Sequence, residues 1–201
     1  MNEQPLVSIV VITYNSSKYM LETLESAKNQ TYENIELIIS DDGSTDDTIE
    51  ICQNWFEKNK ESFKFSTLIT VEENTGIPAN LNRGIKASKG DWIKIIAGDD
   101  ILCPSVIQNY VFIVTKDKSK QFLYSNIFHI NEKGIDVTSN YSDKVNWHKD
   151  FNSLTSKEQF SKLSNGFFAF PCTWFFSIKL YNNIGGFDEK YPCYEDLPFI
   201  L

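Results

Sequence analysis

The chain has 201 residues and a formal net charge of −8, with 41% hydrophobic and 14% aromatic residues. That is enough apolar material for a full core, which excludes a disordered chain, and the length suits one domain, residues 1–201. The acidic balance argues against broad contact with a nucleic-acid backbone, so no nucleic-acid partner is expected. The four cysteines form no C-x-x-C pair and the two histidines, His129 and His148, are isolated. Neither a zinc framework nor a disulfide scaffold is expected, and reduced core thiols suit a cytosolic protein. Met1–Pro5 lacks a basic signal region, and no run approaches the roughly 18 apolar residues that span a bilayer. A soluble, cytoplasmic chain is the expectation.

Leu6 to Ile12 is short and rich in β-branched residues, as in a strand buried on both faces. Thr13, Tyr14 and Asn15 close it, and Ser16 and Ser17 are N-cap candidates for a helix carrying Met20, Leu21, Leu24 and Ala27. Ile35 to Ile39 repeats the strand pattern. Asp41-Asp42-Gly43-Ser44 is the turn, and Ser44 with Asp47 resembles a capping box for a helix through Ile49, Cys52 and Phe56. Phe65 to Val71 is a third strand, followed by a loop at Asn74 to Gly76 and a helix opened by Pro78 with Leu81 and Ile85 inward. Trp92 to Ala97 is a fourth strand. It ends in two adjacent acids, Asp99 and Asp100, before a helix from Ser105 to about Lys116.

Beyond residue 116 the pattern changes. Phe122 to Ile130 reads as a strand with His129 packed in it, Asn131 to Gly134 as a turn, and Ile135 to Thr138 as a shorter strand. Residues 139–154 have no period and read as a loop. Thr155 with Glu158 forms a capping box for a short helix, and the aromatic run Asn165 to Ser177 suits a strand. Gly185-Gly186 and the acids Glu195 and Asp196 follow, with Pro198 placed for the first turn of a new helix. A helix cut off so early points to a longer parent protein.

Alternating strands and helices indicate a mostly parallel α/β sheet covered on both faces, with a small mixed or antiparallel portion at the end. Right-handed crossovers bring the strand-end turns to one edge. Tyr14, Asp42 and the Asp99–Asp100 pair should therefore share a rim. Alone, an Asp-Asp pair reads as a solvated turn. On a sheet edge it offers hard oxygen ligands for a divalent cation.

In their order, Val7 to Asn15, Asp41 to Asp46, Asn74-x-Gly76 with Asn82-Arg83-Gly84, Gly98-Asp99-Asp100, Gly185 to Asp188 and Glu195-Asp196 resemble the family 2 glycosyltransferases of the GT-A fold. The resemblance covers nearly the whole of Leu6 to Leu201, with a nucleotide-binding half at about 5–104 and an acceptor-side half at about 105–201. It implies that Thr13, Tyr14, Asp42, Asn80 and Asp99 bind the nucleotide, with Asn74, Gly76 and Asn82 beside it. Asp99 would contact the ribose, and Asp100 with Asp99 would hold Mn2+ or Mg2+. Asp196 would be the catalytic base, supported by Glu195. Each has a plainer reading: strand-end packing for Tyr14, turn chemistry for Asp42, a helix N-terminal acid for Asp196 and a tight turn for Gly185-Gly186. The chain departs from the family pattern at Ala97, where many relatives carry a further Asp, and at Leu81, where many carry Arg.

The resemblance implies an inverting, metal-dependent transferase of hexosyl type. It would move a sugar from a nucleoside-diphosphate donor, UDP-sugar favoured, to a hydroxyl on a glycan or lipid-linked sugar acceptor in bacterial surface polysaccharide assembly. Peripheral association with the inner face of the plasma membrane is compatible with that role; monomer and oligomer are both open. A nucleotidyltransferase, or a nucleotide-binding module without turnover, is the alternative. The first would want a Gly-rich, basic phosphate loop, where the stretch Ser8 to Ser17 has only Lys18 nearby.

Overall fold

Residues 4–137, 154–164, 170–192 and 199 are described by a computed structural model of the protein. The β-branched run forms β1 (Val7–Thr13), and the three later strands of the same kind are β2 (Ile35–Asp41), β3 (Phe65–Thr70) and β4 (Trp92–Ala97). Between them lie α1 (Met20–Lys28), α2 (Thr48–Asn59) and α3 (Ile77–Ala87), and α4 (Val106–Lys116) follows β4. Then come β5 (Phe122–Leu123), α5 (Ser156–Ser164), β6 (Phe175–Ser177) and α6 (Ile178–Ile184). The sheet order is β3-β2-β1-β4-β6-β5. β1 pairs in parallel with both β2 and β4, whereas β6 runs antiparallel to β4 and β5.

Alternation along the strands splits the core in two. Ile9, Val11, Leu37, Ile39 and Ile96 pack against α1, α2 and α4 through Met20, Leu24, Trp55, Ile107 and Tyr110. Val10, Ile38, Ile93 and Ile95 face the other way, onto Leu81 and Ile85 of α3 and Tyr181 of α6. Both faces of the central strands are covered, which is why they read as continuous apolar runs.

Several expectations change at the ends of elements. Ser16 and Ser17 cap nothing, because α1 starts at Met20 without a side-chain cap. Their backbone N–H groups are taken by Thr48 Oγ1 at 2.8 Å and Asp46 Oδ2 at 3.2 Å, from the next βα unit. The Ser44–Asp47 capping box also does not form. Ser44 Oγ donates to Asp41 instead, and Asp46 accepts from the Thr48 backbone at 3.0 Å in the first turn of α2. The expected strand from Phe122 to Ile130 reduces to the two residues of β5, with an isolated bridge between Ile130 and Asp136 beyond it. His129 sits on that stretch with its ring edge-on to Phe170 at 6.0 Å. The aromatic run contributes only Phe175–Ser177 as strand, after a 3-10 turn at Pro171–Thr173. Helix α6 had no counterpart in the sequence reading. It is capped by the Ser177 hydroxyl accepting from Leu180 N and ended by Gly185 at φ 86°. The capping box at Thr155 is present, with Glu158 accepting from Thr155 N at 2.8 Å.

Candidate functional site

The strand order turns back at β1: β2 and β3 lie on one side and β4 on the other. Such a switch point leaves a crevice beyond the carboxyl ends of β1 and β4. A cleft of about 580 Å3 lies there, lined among others by Thr13, Tyr14, Asp42, Asn80, Gly98 and Asp99. Of the rim inferred from topology, Tyr14, Asp42 and Asp99 border this cleft and Asp100 does not, and the five residues expected beside a nucleotide all border it.

Asn15 makes the turn out of β1 at φ 51°, and its side-chain oxygen accepts from Thr45 N at 2.8 Å. This joins the β1 end to the β2 end. Tyr14 is left 45% exposed over the cleft, so its ring face is accessible. Thr13 lies below it, buried, and its Oγ1 is the one buried side-chain polar atom without a hydrogen-bond partner among the described residues. Gly98 explains the tightness: a Cβ there would stand 2.8 Å from Thr13 Oγ1 and 3.0 Å from Met20 Sδ. The hydroxyl sits against Gly98 and is left unpaired beside the cleft, a polar atom the described residues do not satisfy.

The two acids after β2 divide the work. Asp41 builds its own turn, accepting from Gly43 N at 3.0 Å, Ser44 N at 2.9 Å and Ser44 Oγ at 2.5 Å. Asp42 accepts from Thr75 N and Gly76 N at 2.9 Å, Thr75 Oγ1 at 2.6 Å and Arg83 Nη2 at 2.9 Å. Those four donors match the capacity of a carboxylate. Asp42 therefore clamps the 74–76 loop to the end of β2, and a base N–H reaching it has to share or displace a donor. Arg83 also donates to Asn80 Oδ1 at 3.2 Å, and Asn80 Nδ2 donates to the Thr13 carbonyl at 3.3 Å. Sequence reading missed Arg83. It lies one residue beyond Asn82, where the family's Arg precedes that Asn, and its partner is 41 residues away.

Asn82 does not border the cleft. Its amide holds the 187–189 loop, donating to Phe187 O at 2.9 Å and Glu189 Oε1 at 2.7 Å and accepting from Tyr181 Oη and Phe187 N. Gly185-Gly186 serves the turn after α6, and a Cβ on Gly186 would meet Tyr181 Oη at 2.9 Å. Gly76 is tied to the same region, since a Cβ there would come within 2.9 Å of Pro192.

Asp99 is exposed and borders both the first cleft and a second, also about 580 Å3, that opens toward α4 and residues 125–136. Asp100 borders only the second and a smaller apolar pocket by Phe170 and Pro171. Burial, then the Asp99 charge, raises the Asp100 carboxyl above its ordinary range, against the pull of Lys94 and a hydrogen bond from Cys172. A divalent cation relieves that repulsion between adjacent acids, so the pair suits one. No group of three or more His, Cys, Asp or Glu side chains is placed for a metal among the described residues, and a cation held here needs phosphate or water oxygens besides. Glu195 and Asp196, the expected base and its support, lie outside the described residues.

A model of glycosyl transferase family 2 matches residues 8–185. Chondroitin synthase from Escherichia coli is 32% identical over 188 residues, 92% of this chain and 24% of that protein. The chain spans 24% to 58% of the length of the curated relatives it matches. Among solved structures, S. aureus TarS 1-349 in complex with UDP superposes with a TM-score of 0.71 at 23% identity, over 96% of this chain and 53% of that one. A mannosyltransferase from Pyrobaculum calidifontis in complex with GDP-Man and Mn2+ gives a TM-score of 0.67 at 19% identity, over 94% and 49%. At these identities the superpositions carry the fold.

Proposed function

Since the chain belongs to glycosyl transferase family 2 and has the GT-A fold, we propose that it transfers a sugar from a nucleoside-diphosphate donor to a hydroxyl acceptor. The observation that carries this reading is the cleft at the β1–β4 switch point, with an exposed aromatic ring, an unpaired buried hydroxyl and an acid on one rim. Tyr14 offers a stacking face for a base and Asp99 a carboxylate for ribose hydroxyls. A uridine diphosphate donor is favoured by the fold neighbour solved with UDP. The family setting and a relative that makes a polysaccharide support a role in surface glycan assembly.

Asp99 and Asp100 would hold Mn2+ or Mg2+, and the fold neighbour solved with Mn2+ supports this. The ion, when bound with the donor, supplies neutralising charge to the leaving diphosphate. Asp196, with Glu195 beside it, is proposed as the base by its place in the family motif. Its carboxylate takes the acceptor hydroxyl's proton and the freed oxygen forms a bond to the anomeric carbon from the face opposite the donor oxygen. The carbon–oxygen bond to the diphosphate breaks, and the electron pair leaves with it. One such displacement inverts the anomeric centre.

A thermal-shift panel of UDP, GDP and their sugars with and without Mn2+ tests the reading, because a ligand that binds only the native state raises the melting temperature. A Mn2+-dependent rise with one diphosphate is expected. No shift with any nucleotide overturns it. Asp196→Asn should abolish sugar release while leaving the nucleotide shift intact.

A further inference from the structure

The smaller apolar pocket, of about 190 Å3, lies between the two clefts at the ends of β1 and β4. Ile12 and Ala97 stand opposite each other in the parallel pairing of those strands. With Ile77, the first residue of α3, they border both this pocket and the first cleft, so the two spaces adjoin. Leu81, one turn along α3, lines it too, as do Phe170 and Pro171 ahead of β6. Asp100 is the one charged residue on its wall. Ile77 keeps 41% of its surface exposed and Ala97 is half-buried, so part of the apolar wall is left uncovered. Leu81 and Ala97 are also the two positions where the chain departs from the family pattern of Arg and Asp. Both departures meet in one pocket, and each puts hydrocarbon where a charge is usual. A space walled in this way holds an apolar group better than water.

We propose that this pocket receives the acyl group of an N-acetylated donor sugar and so selects 2-acetamido hexoses over plain hexoses. The inference rests on the first cleft holding a nucleoside diphosphate, whose sugar then lies past Asp99, beside the pocket. Volume argues for an acyl group over a lone methyl. Taking roughly 30 Å3 for each water-sized group, the space holds about six. The methyl of a 6-deoxy sugar leaves most of that empty, whereas the nitrogen, carbonyl and methyl of an acetamido group fill the larger part. The methyl is buried against Leu81 and Ala97. The amide's polar atoms stay toward the open first cleft, so no polar group is buried unpaired. A plain hexose offers a hydroxyl at that carbon and gains none of this burial. Leu81 and Ala97 are thereby specificity-determining residues for the donor.

Calorimetric titrations at a fixed Mn2+ concentration test this with UDP, UDP-GlcNAc, UDP-GalNAc, UDP-Glc and UDP-Gal on wild type, Leu81→Gln and Ala97→Ile. In wild type, one of the two N-acetylhexosamine donors should bind at least about fourfold tighter than its hexose counterpart, the worth of one buried methyl. Leu81→Gln puts an amide into the apolar wall and Ala97→Ile fills the space, and each should abolish that preference. The preference is a ratio read within each variant, so a general change in UDP affinity cancels. If Leu81→Gln does not fold, Ala97→Ile decides alone. If wild type binds UDP but shows no preference, or a folded variant keeps the preference, the pocket's role is wrong and the nucleotide reading stands. If wild type binds neither UDP nor any of its sugars, the uridine donor falls and this inference with it.

Discussion

Thr13 and Asp42 border the same cleft with opposite hydrogen-bond standing, and substitutions should separate them. The Thr13 hydroxyl is buried with no partner, so the fold gains nothing from it. Thr13→Val keeps the branched shape and should leave stability unchanged or raise it by about 1 kcal/mol. A loss of stability in urea denaturation would contradict this. Asp42 is the reverse case. Its four donors include the Arg83 guanidinium, whose side chain is 20% exposed, and backbone N–H groups of the 74–76 loop. Asp42→Ala strands them and should cost roughly 2–4 kcal/mol, whereas Arg83→Met leaves the carboxylate three donors and should cost about 1 kcal/mol. The sequence made Asp42 legible as an acid at a strand end, but not the saturation of its oxygens. That depends on Arg83 and Thr75, which only the fold brings near.

At the scale of elements, the four strand–helix units were readable because β-branched runs and helical spacing repeat in order, and β1 to β4 fall where the periodicity puts them. Helix starts were not. Ser16, Ser17 and Ser44 are good caps by residue type, yet each is engaged by a neighbouring unit. Asp46 joins the two turns instead, accepting from Thr48 N at the start of α2 and from Ser17 N in the loop ahead of α1. Burial alone would raise its carboxyl, but hydrogen bonds from Thr48 and Ser17 outweigh that and hold it down at about 2. A depressed native pKa contributes stability that is fully present above the unfolded value, about 3.9, and is lost as pH falls through the native one. Asp46→Asn should therefore melt below wild type at pH 7, and the gap should close between about pH 4 and pH 2. Melting curves across that range check it, and a gap constant with pH would assign the effect to shape instead of charge. The short β5 and the unforeseen α6 have a common cause. Their lengths are set by pairing with β6 and by caps at Ser177 and Gly185, and not by a period of their own.

At the scale of the whole molecule, side-chain hydrogen bonds tie the four βα units to the later segments among the described residues, and Asn82 makes the most of them. It projects from α3 to bind Tyr181, Phe187 and Glu189, residues 99 to 107 positions away. Lys94 makes a second such tie to Cys172, 78 positions on. Neither tie was legible in the sequence, where Asn82 was placed beside the nucleotide and Lys94 was given no role. The amide of Asn82 is buried, and both its oxygen and its nitrogen are shared by two partners. Asn82→Ala leaves the Phe187 N–H, the Tyr181 hydroxyl and the Glu189 carboxylate without that partner at once. The expected cost is about 3 kcal/mol, which for a chain of this length lowers the melting temperature by roughly 6–12 °C. Because the first cleft is lined mainly by the βα units, with Pro192 its one lining residue from the later segment among the described residues, nucleotide affinity should change less than stability. Hydrogen exchange should show the reason, with amides of 185–192 exchanging faster while those of β1 and β4 keep their protection. Equal loss of protection in both regions would mean that Asn82 supports the sheet itself and not the docking of the later segment upon it.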